Sequence, residues 1–411
     1  MTTPHPARFR ALDLSMGWAG PLLGAMLAEM NFDVVKIEDT RNFDWWRGPL
    51  NIAAPELRPI ERSPTFNTVN RGKRGITLDL TDPRGVEIVK RLAAHADVAI
   101  ENFVPGVMAR LGLSWEVLAA VNPRLVMVSM PSFGAGGPES DARGYGNTVE
   151  AMAGVTSLNR YYDDPQPYTM SNALGDPVGG LSGTLAVLAA LHERERTGRG
   201  QLVEIAQVEA VVPFLADRII EYQFTGRVPA PLGNRHPDYA PHGIYRCAGD
   251  DAWLALAAET QEQWHGLVDA LALGGLAGGA RFADRAGRKA NEDALDRELS
   301  RVLATLAVDD AARRLNSAGV FAQPVSSAPE VLADSHLQAR CCFVAVDREV
   351  SGTHLYQGPV ARLSRTPLSA DRPAPLLGQH NAEVLRELLG MTDDEIRALE
   401  SGAIIGTTPR A

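Results

Sequence analysis

A chain of 411 residues, 45% hydrophobic and 22% charged, has an ordinary globular composition and length enough for one large domain and a second, smaller one. Its net charge of −10 excludes a general nucleic-acid-binding field, so an anionic ligand needs a local cluster of Lys and Arg. Cys247, Cys341 and Cys342 make no disulfide framework, the opening MTTPHPARFRALDLS has no apolar stretch of leader length, and no run reaches the ~20 apolar residues of a membrane span, so the expected compartment is the cytoplasm.

The first half alternates short β-rich runs with helical patterns. Residues 10–14 read as a strand, 21–30 as a helix with Pro21 at its first position, and 33–38 as the next strand. Strand 76–80, a helix from Asp82-Pro83 to about His95, and strands 97–101 and 125–130 follow. This order predicts a parallel sheet covered by helices. A long helix is expected from Pro177 to about Arg196, with Leu181, Leu185, Leu188 and Leu191 spaced for one buried face, and a second helix over 206–224. Pro, Gly and His crowd 229–241, which reads as a linker. Beyond it, 241–330 is expected to form a small α+β domain that opens with strands His242–Arg246 and Trp253–Ala257. Residues 331–411 are expected to be a linker and the C-terminal part of the large domain; the tail, 341–411, carries strand-like runs and a last helix near 393–400 with Asp393 as candidate cap.

Several loops carry chemistry. GWAGPLLG places Gly17, Gly20 and Gly24 between a strand and a helix, and Glu38 ends the next strand about 20 residues on, where a dinucleotide-binding domain carries its acid. The spacing departs from G-x-G-x-x-G, so a tight turn outweighs an NAD site. NRGKRG puts Arg71, Lys73 and Arg74 in one loop, either a local phosphate site or a solvated loop. ENFVPG and FGAGGP leave two further strand ends, where a doubly wound sheet binds ligands. In ALGDPVGG, Asp176 precedes Pro177, so its plain reading is a helix N-cap. Gly175, Gly179 and Gly180 leave room for a substrate, and a carboxylate beside free helical N–H groups can act as a covalent nucleophile. Neither His and Cys spacing for a metal, nor G-x-S-x-G, nor a P-loop occurs.

Taken in order, LDLSMGWAGPLLGAMLAEMNFDVVKIE, NRGKRGITLDL, ADVAIENFVPGVMARLGL, FGAGGP with RGYGN, GD-x-x-GG, TGRGQLVEIAQVEA and GNRHPDYAPHGIYRCAGDD resemble the family III CoA-transferases. That group includes formyl-CoA and carnitine CoA-transferases and the α-methylacyl-CoA racemases. The resemblance spans nearly the whole chain. It implies a Rossmann-like large α/β domain over 1–200, completed by 340–411, with helix and linker at 201–240 and the small domain inserted late. It also implies an interlocked homodimer whose substrates are an acyl-CoA and a carboxylic acid, without metal.

The family's catalytic aspartate falls on Asp176. Coenzyme A contacts fall on Trp18, Ala19, Arg71, Lys73, Asn102, Phe103, Val104, Arg110, Phe133 and Gly134. Tyr145 faces the substrate, and Gly179 and Gly180 supply oxyanion donors. Trp18 stands where some transferases have Gln, which disfavours an oxalate-sized acid, and Val104 where many have Arg. Ala257–Thr260 takes the place of a glycine-rich loop, and Tyr145 that of a racemase His. The aromatics Trp18, Trp45, Trp46, Tyr145, Tyr161 and Tyr162 point to a larger, partly apolar acyl group. The alternatives are an acyl-CoA racemase or epimerase on the same fold, and a non-catalytic CoA- or nucleotide-binding protein.

Overall fold

The computed structural model describes residues 9–48, 59–277 and 279–410. Residues 1–8 of the opening stretch weighed above for a leader lie outside them. The chain divides into two compact units. One takes the residues up to Val155, Thr169–Ile220 and those from His336 onward, and the other takes Thr156–Tyr168 and Glu221–Ser335.

In the first unit, β1 (Arg10–Asp13), β2 (Asp33–Glu38), β3 (Arg74–Thr77), β4 (Val98–Glu101), β5 (Val126–Ser129) and β6 (Leu202–Glu204) form one parallel sheet in the order β3-β2-β1-β4-β5-β6. Leu12 pairs with Val35 on one side and Ala99 on the other. Alternate residues point to opposite faces of a strand, so a sheet covered on both faces needs near-continuous apolar runs. Leu12, Val35, Ile76, Ala99 and Met127 face one core, and Ala11, Val34, Val98, Val126 and Val128 face the other.

Among the described residues up to 225, the helices are α1 (Ala19–Glu29), α2 (Pro64–Val69), α3 (Pro83–Ala93), α4 (Val107–Arg110), α5 (Trp115–Val121), α6 (Gly146–Ala153), α7 (Val155–Leu158), α8 (Gly175–Thr197), α9 (Gln207–Val211) and α10 (Ala216–Thr225). Leu23 and Leu27 of α1 and Val187, Ala190 and Leu191 of α8 cover the second core. The first core is closed from the end of the chain: Val384 and Leu385 lie in Asn381–Leu389, and Ile396 and Leu399 in Asp393–Ser401. Asn381 joins that tail to β3, accepting from Thr77 N at 2.8 Å.

In the second unit β7 (His242–Arg246), β8 (Trp253–Ala257) and β9 (Phe321–Pro324) form an antiparallel sheet. Trp264, Leu295, Leu299 and Leu315, from the helices between β8 and β9, supply much of its core.

Several expectations are corrected. α1 begins at Ala19, ahead of Pro21. β3 lies over Arg74–Thr77, not 76–80, because Asp79 turns back to accept from Thr81 N (2.9 Å) and ends the extended run. The 206–224 helix is interrupted by a 3-10 turn at Val212–Leu215 that contains Pro213. The last helix is capped by Thr392 with Glu395, and Asp393 is already inside it. In α8, Leu181, Leu185 and Leu188 are exposed; Gly180, Gly183, Thr184, Val187 and Leu191 are the buried face. The spacing was helical, but small residues let this helix pack against α1 on another side.

Candidate active site

The sheet order reverses between β1 and β4, the place where a doubly wound sheet opens a crevice at its strands' carboxyl ends. The loops leaving those two strands are tied together: Asn102 accepts from Met16 N at 2.9 Å and donates to Met16 O at 2.8 Å. Beside them lies a cavity of about 750 Å³, whose wall includes Met16, Trp18, Asn102, Phe103, Val104, Tyr145 and Asp176.

Three helix starts meet at Asp176. It is the second residue of α8, and Leu174 takes the N-cap position, which corrects the plain capping reading. Its carboxylate accepts from the backbone N–H of Ala19, the first residue of α1, and of Gly146, the first residue of α6. No side chain caps α1, and in α6 Thr148 accepts from Tyr145 N (2.8 Å), which leaves the Ala19 and Gly146 N–H groups open to an external acceptor. Burial nevertheless raises the Asp176 carboxyl from 3.8 to about 6; the two N–H groups oppose that rise and the nearby Glu150 adds to it.

Glycines allow this approach. A Cβ on Gly146 would lie 2.3 Å from Ala173 Cβ and 2.4 Å from Asp176 Oδ2. One on Gly175 would press on Val149 (3.0 Å), and one on Gly180 on Ala19 O (2.8 Å). The glycines expected to leave room for substrate therefore leave room for neighbouring helices. Gly179 and Gly180 are the fifth and sixth residues of α8, past the free N–H groups of a helix start, and are not on the cavity wall. The donors to the carboxylate are Ala19 and Gly146.

Aromatic rings build part of the wall. Trp18 and Trp46 lie 5.1 Å apart, and Trp45 meets Trp46 (5.9 Å) and Tyr145 (5.7 Å) edge-on. Gly17, at φ +77°, lies under Trp45, whose ring would be 2.6 Å from any Cβ there. Asp44 organises this corner by accepting from Gly17 N (2.9 Å), Trp46 N (3.0 Å) and Lys36 Nζ (3.0 Å). Tyr161 and Tyr162 belong to the second unit and are not on this wall.

The loop weighed as a phosphate site is tied into the fold. Lys73 is buried and donates to Asp13 (2.7 Å), Asn70 (2.7 Å) and Pro21 O (2.8 Å); burial lowers its ammonium to about 8. Arg71, also buried, donates to Thr68 O (3.1 Å), Glu29 (3.2 Å) and Gln357 O (2.5 Å). Neither is on the cavity wall, nor are Arg110, Phe133 and Gly134. Glu38, weighed as a ribose acid, spends both oxygens on Arg47 at 2.8 Å. The wall does include Trp45, Trp46, Arg143 and Gln207. Of these only the tryptophans were singled out in sequence; RGYGN, which contains Arg143, entered only through the resemblance.

The description CoA-transferase family III matches residues 7–381. The chain belongs to that family. This family III CoA-transferase is 34% identical to succinyl-CoA–D-citramalate CoA-transferase of Chloroflexus aurantiacus, over 98% of this chain and 100% of the relative. It is also 34% identical to succinate–glutarate CoA-transferase of Agrobacterium fabrum, over 94% and 96%. Among solved structures, a CAIB/BAIF family protein from Brucella suis matches with TM-score 0.84 and 32% identity, covering 93% of this chain and 98% of that one. The protein is thus a CoA-transferase enzyme with CoA thioesters as substrates, built on a mixed α/β fold with a six-stranded parallel sheet. Among its described residues no group of three or more His, Cys, Asp or Glu side chains could hold a metal ion, and no helix is long and apolar enough to cross a membrane.

Proposed function

We propose that this CoA-transferase works through a covalent aspartyl intermediate on Asp176. The observation that carries the reading is one carboxylate on a cavity wall, held by the leading N–H groups of two helices. An Asp176 oxygen bonds to the acyl carbon of the donor thioester, the C–S bond breaks, and CoA leaves as thiolate. The thiolate attacks the aspartyl carbonyl of the anhydride, and the donor acid departs as carboxylate, leaving an aspartyl-CoA thioester. The acceptor carboxylate then attacks that thioester, and thiolate returns to the acceptor's acyl carbon, freeing Asp176. When the thiolate or the acceptor carboxylate attacks the aspartyl carbonyl, negative charge develops on the aspartyl oxygen beside the Ala19 and Gly146 N–H groups, where such donors lower the barrier.

Trp18, Asn102, Phe103 and Val104 are the wall residues we assign to the CoA arm, and Tyr145 to the acyl group. Named relatives act on succinyl, citramalate and glutarate groups, so short dicarboxylic acids come first in a donor and acceptor screen. The protein works in this reading as a homodimer; the exposed Leu181, Leu185 and Leu188 of α8 are an apolar stripe that a second copy would cover. Turnover of Asp176→Ala in a CoA-exchange assay tests the mechanism: loss of transfer with the fold intact supports it, and near-normal transfer overturns it. A racemase would instead exchange the α-proton for solvent deuterium without an acceptor acid.

A further inference from the structure

Helix α6 makes two contacts with the start of α8, one turn apart on one face. Gly146 N–H bonds the Asp176 carboxylate, and four residues on, the Glu150 carboxylate accepts from Leu174 N, the N-cap residue of α8. Glu150 is 1% exposed and is not on the cavity wall, so no substrate reaches it. Gly175 lies between the two contacts, close enough to Val149 and Gly146 O that any side chain there would press on α6.

We infer that Glu150 is a positioning residue for the nucleophile: it anchors the start of α8 through Leu174 and holds a second negative charge behind Asp176. This rests on the covalent reading given above. When Asp176 bonds to an acyl carbon its charge passes to the departing thiolate, and the repulsion from Glu150 is relieved at that step. Interactions worse in the ground state than in the transition state speed the chemical step. The other groups facing Asp176 do not supply this. α1 offers the Ala19 N–H, α9 the neutral Gln207, and the cavity wall Tyr145 and the exposed Arg143. The raised Asp176 carboxyl, with Glu150 among its causes, is consistent with the arrangement.

Glu150→Gln is the deciding variant, because its amide oxygen can still accept from Leu174 N while the charge is gone. The acid limb of kcat/KM against pH should move down by about half a unit or more. kcat should fall severalfold, with KM within about twofold. Glu150→Asp keeps the charge but draws it back by one methylene; its acid limb should stay at the wild-type position while kcat falls. A Gln variant whose limb and kcat match wild type overturns the inference. Should the Gln variant not fold, an Asp variant with a displaced limb overturns it equally. Asp176→Ala, assayed beside them, separates the two readings. If it is inactive while Glu150→Gln is unchanged, only the role of Glu150 falls; if it is active, the covalent reading falls with it.

Discussion

Replacing Asp176 by Asn should abolish transfer and at the same time stabilise the fold. The Asp176 carboxyl stands at about 6 rather than 3.8, chiefly because it is buried. Keeping it ionised in the folded state at neutral pH costs about 3 kcal/mol by that difference, and about 1–3 kcal/mol once its solvent-facing side is discounted. Asn keeps the shape and an oxygen for the Ala19 and Gly146 N–H groups, but carries no charge to desolvate or to set against Glu150.

The sign follows from proton binding. A raised folded value means that protonation favours the folded state fully below 3.8, and that this advantage is lost as pH rises through about 6. The Asn variant should therefore gain its full advantage over wild type above about 6, and the gain should shrink towards zero as pH falls towards 3.8. Urea unfolding of both proteins at about pH 8 and about pH 5 measures this. A variant that is no more stable than wild type at the higher pH, or whose advantage grows on acidification, refutes the reasoning.

Three further outcomes are expected. Gly146→Ala drives a methyl into Ala173 and Asp176 Oδ2, and should lower kcat by about a hundredfold while the protein stays folded, read by steady-state kinetics and circular dichroism. Lys73→Met leaves the fully buried Asp13 without its 2.7 Å partner and should cost about 3–5 kcal/mol in unfolding experiments, most of it recovered when Asp13 is made apolar as well. Leu185→Asp places a charge in the exposed stripe of α8 and should lower the share of the proposed homodimer recovered on refolding, read by analytical ultracentrifugation; a mass distribution equal to wild type removes that helix from the proposed interface.

The parallel sheet was legible because its strands are short, apolar and separated by helical patterns; β2 occupies the residues expected of it, as do β7 and β8 of the antiparallel sheet. The crevice was legible for the same reason, since loops that leave strands on one side of a sheet must gather there. Partner choice was not legible. Lys73 and Arg71 have the composition of a phosphate loop, but their acceptors, Asp13 and Glu29, are far away in sequence. The glycines around Asp176 marked an unusual place, yet whether the missing side chains make room for a ligand or a helix depends on what packs there. The N–H donors from Ala19 and Gly146 come from two other helices, and local spacing around Asp176 carries no sign of them. Leu181, Leu185 and Leu188 fit a buried helical face by period alone, and period does not say which face of α8 the second core takes.

The most direct test of the central claim is mass spectrometry of the protein after incubation with an acyl-CoA donor and no acceptor. A mass increase located on the peptide containing Asp176, removed by hydroxylamine and missing in Asp176→Asn, is the expected result. Transfer activity accompanied by no such adduct under rapid quenching, or an adduct on a different residue, would contradict it.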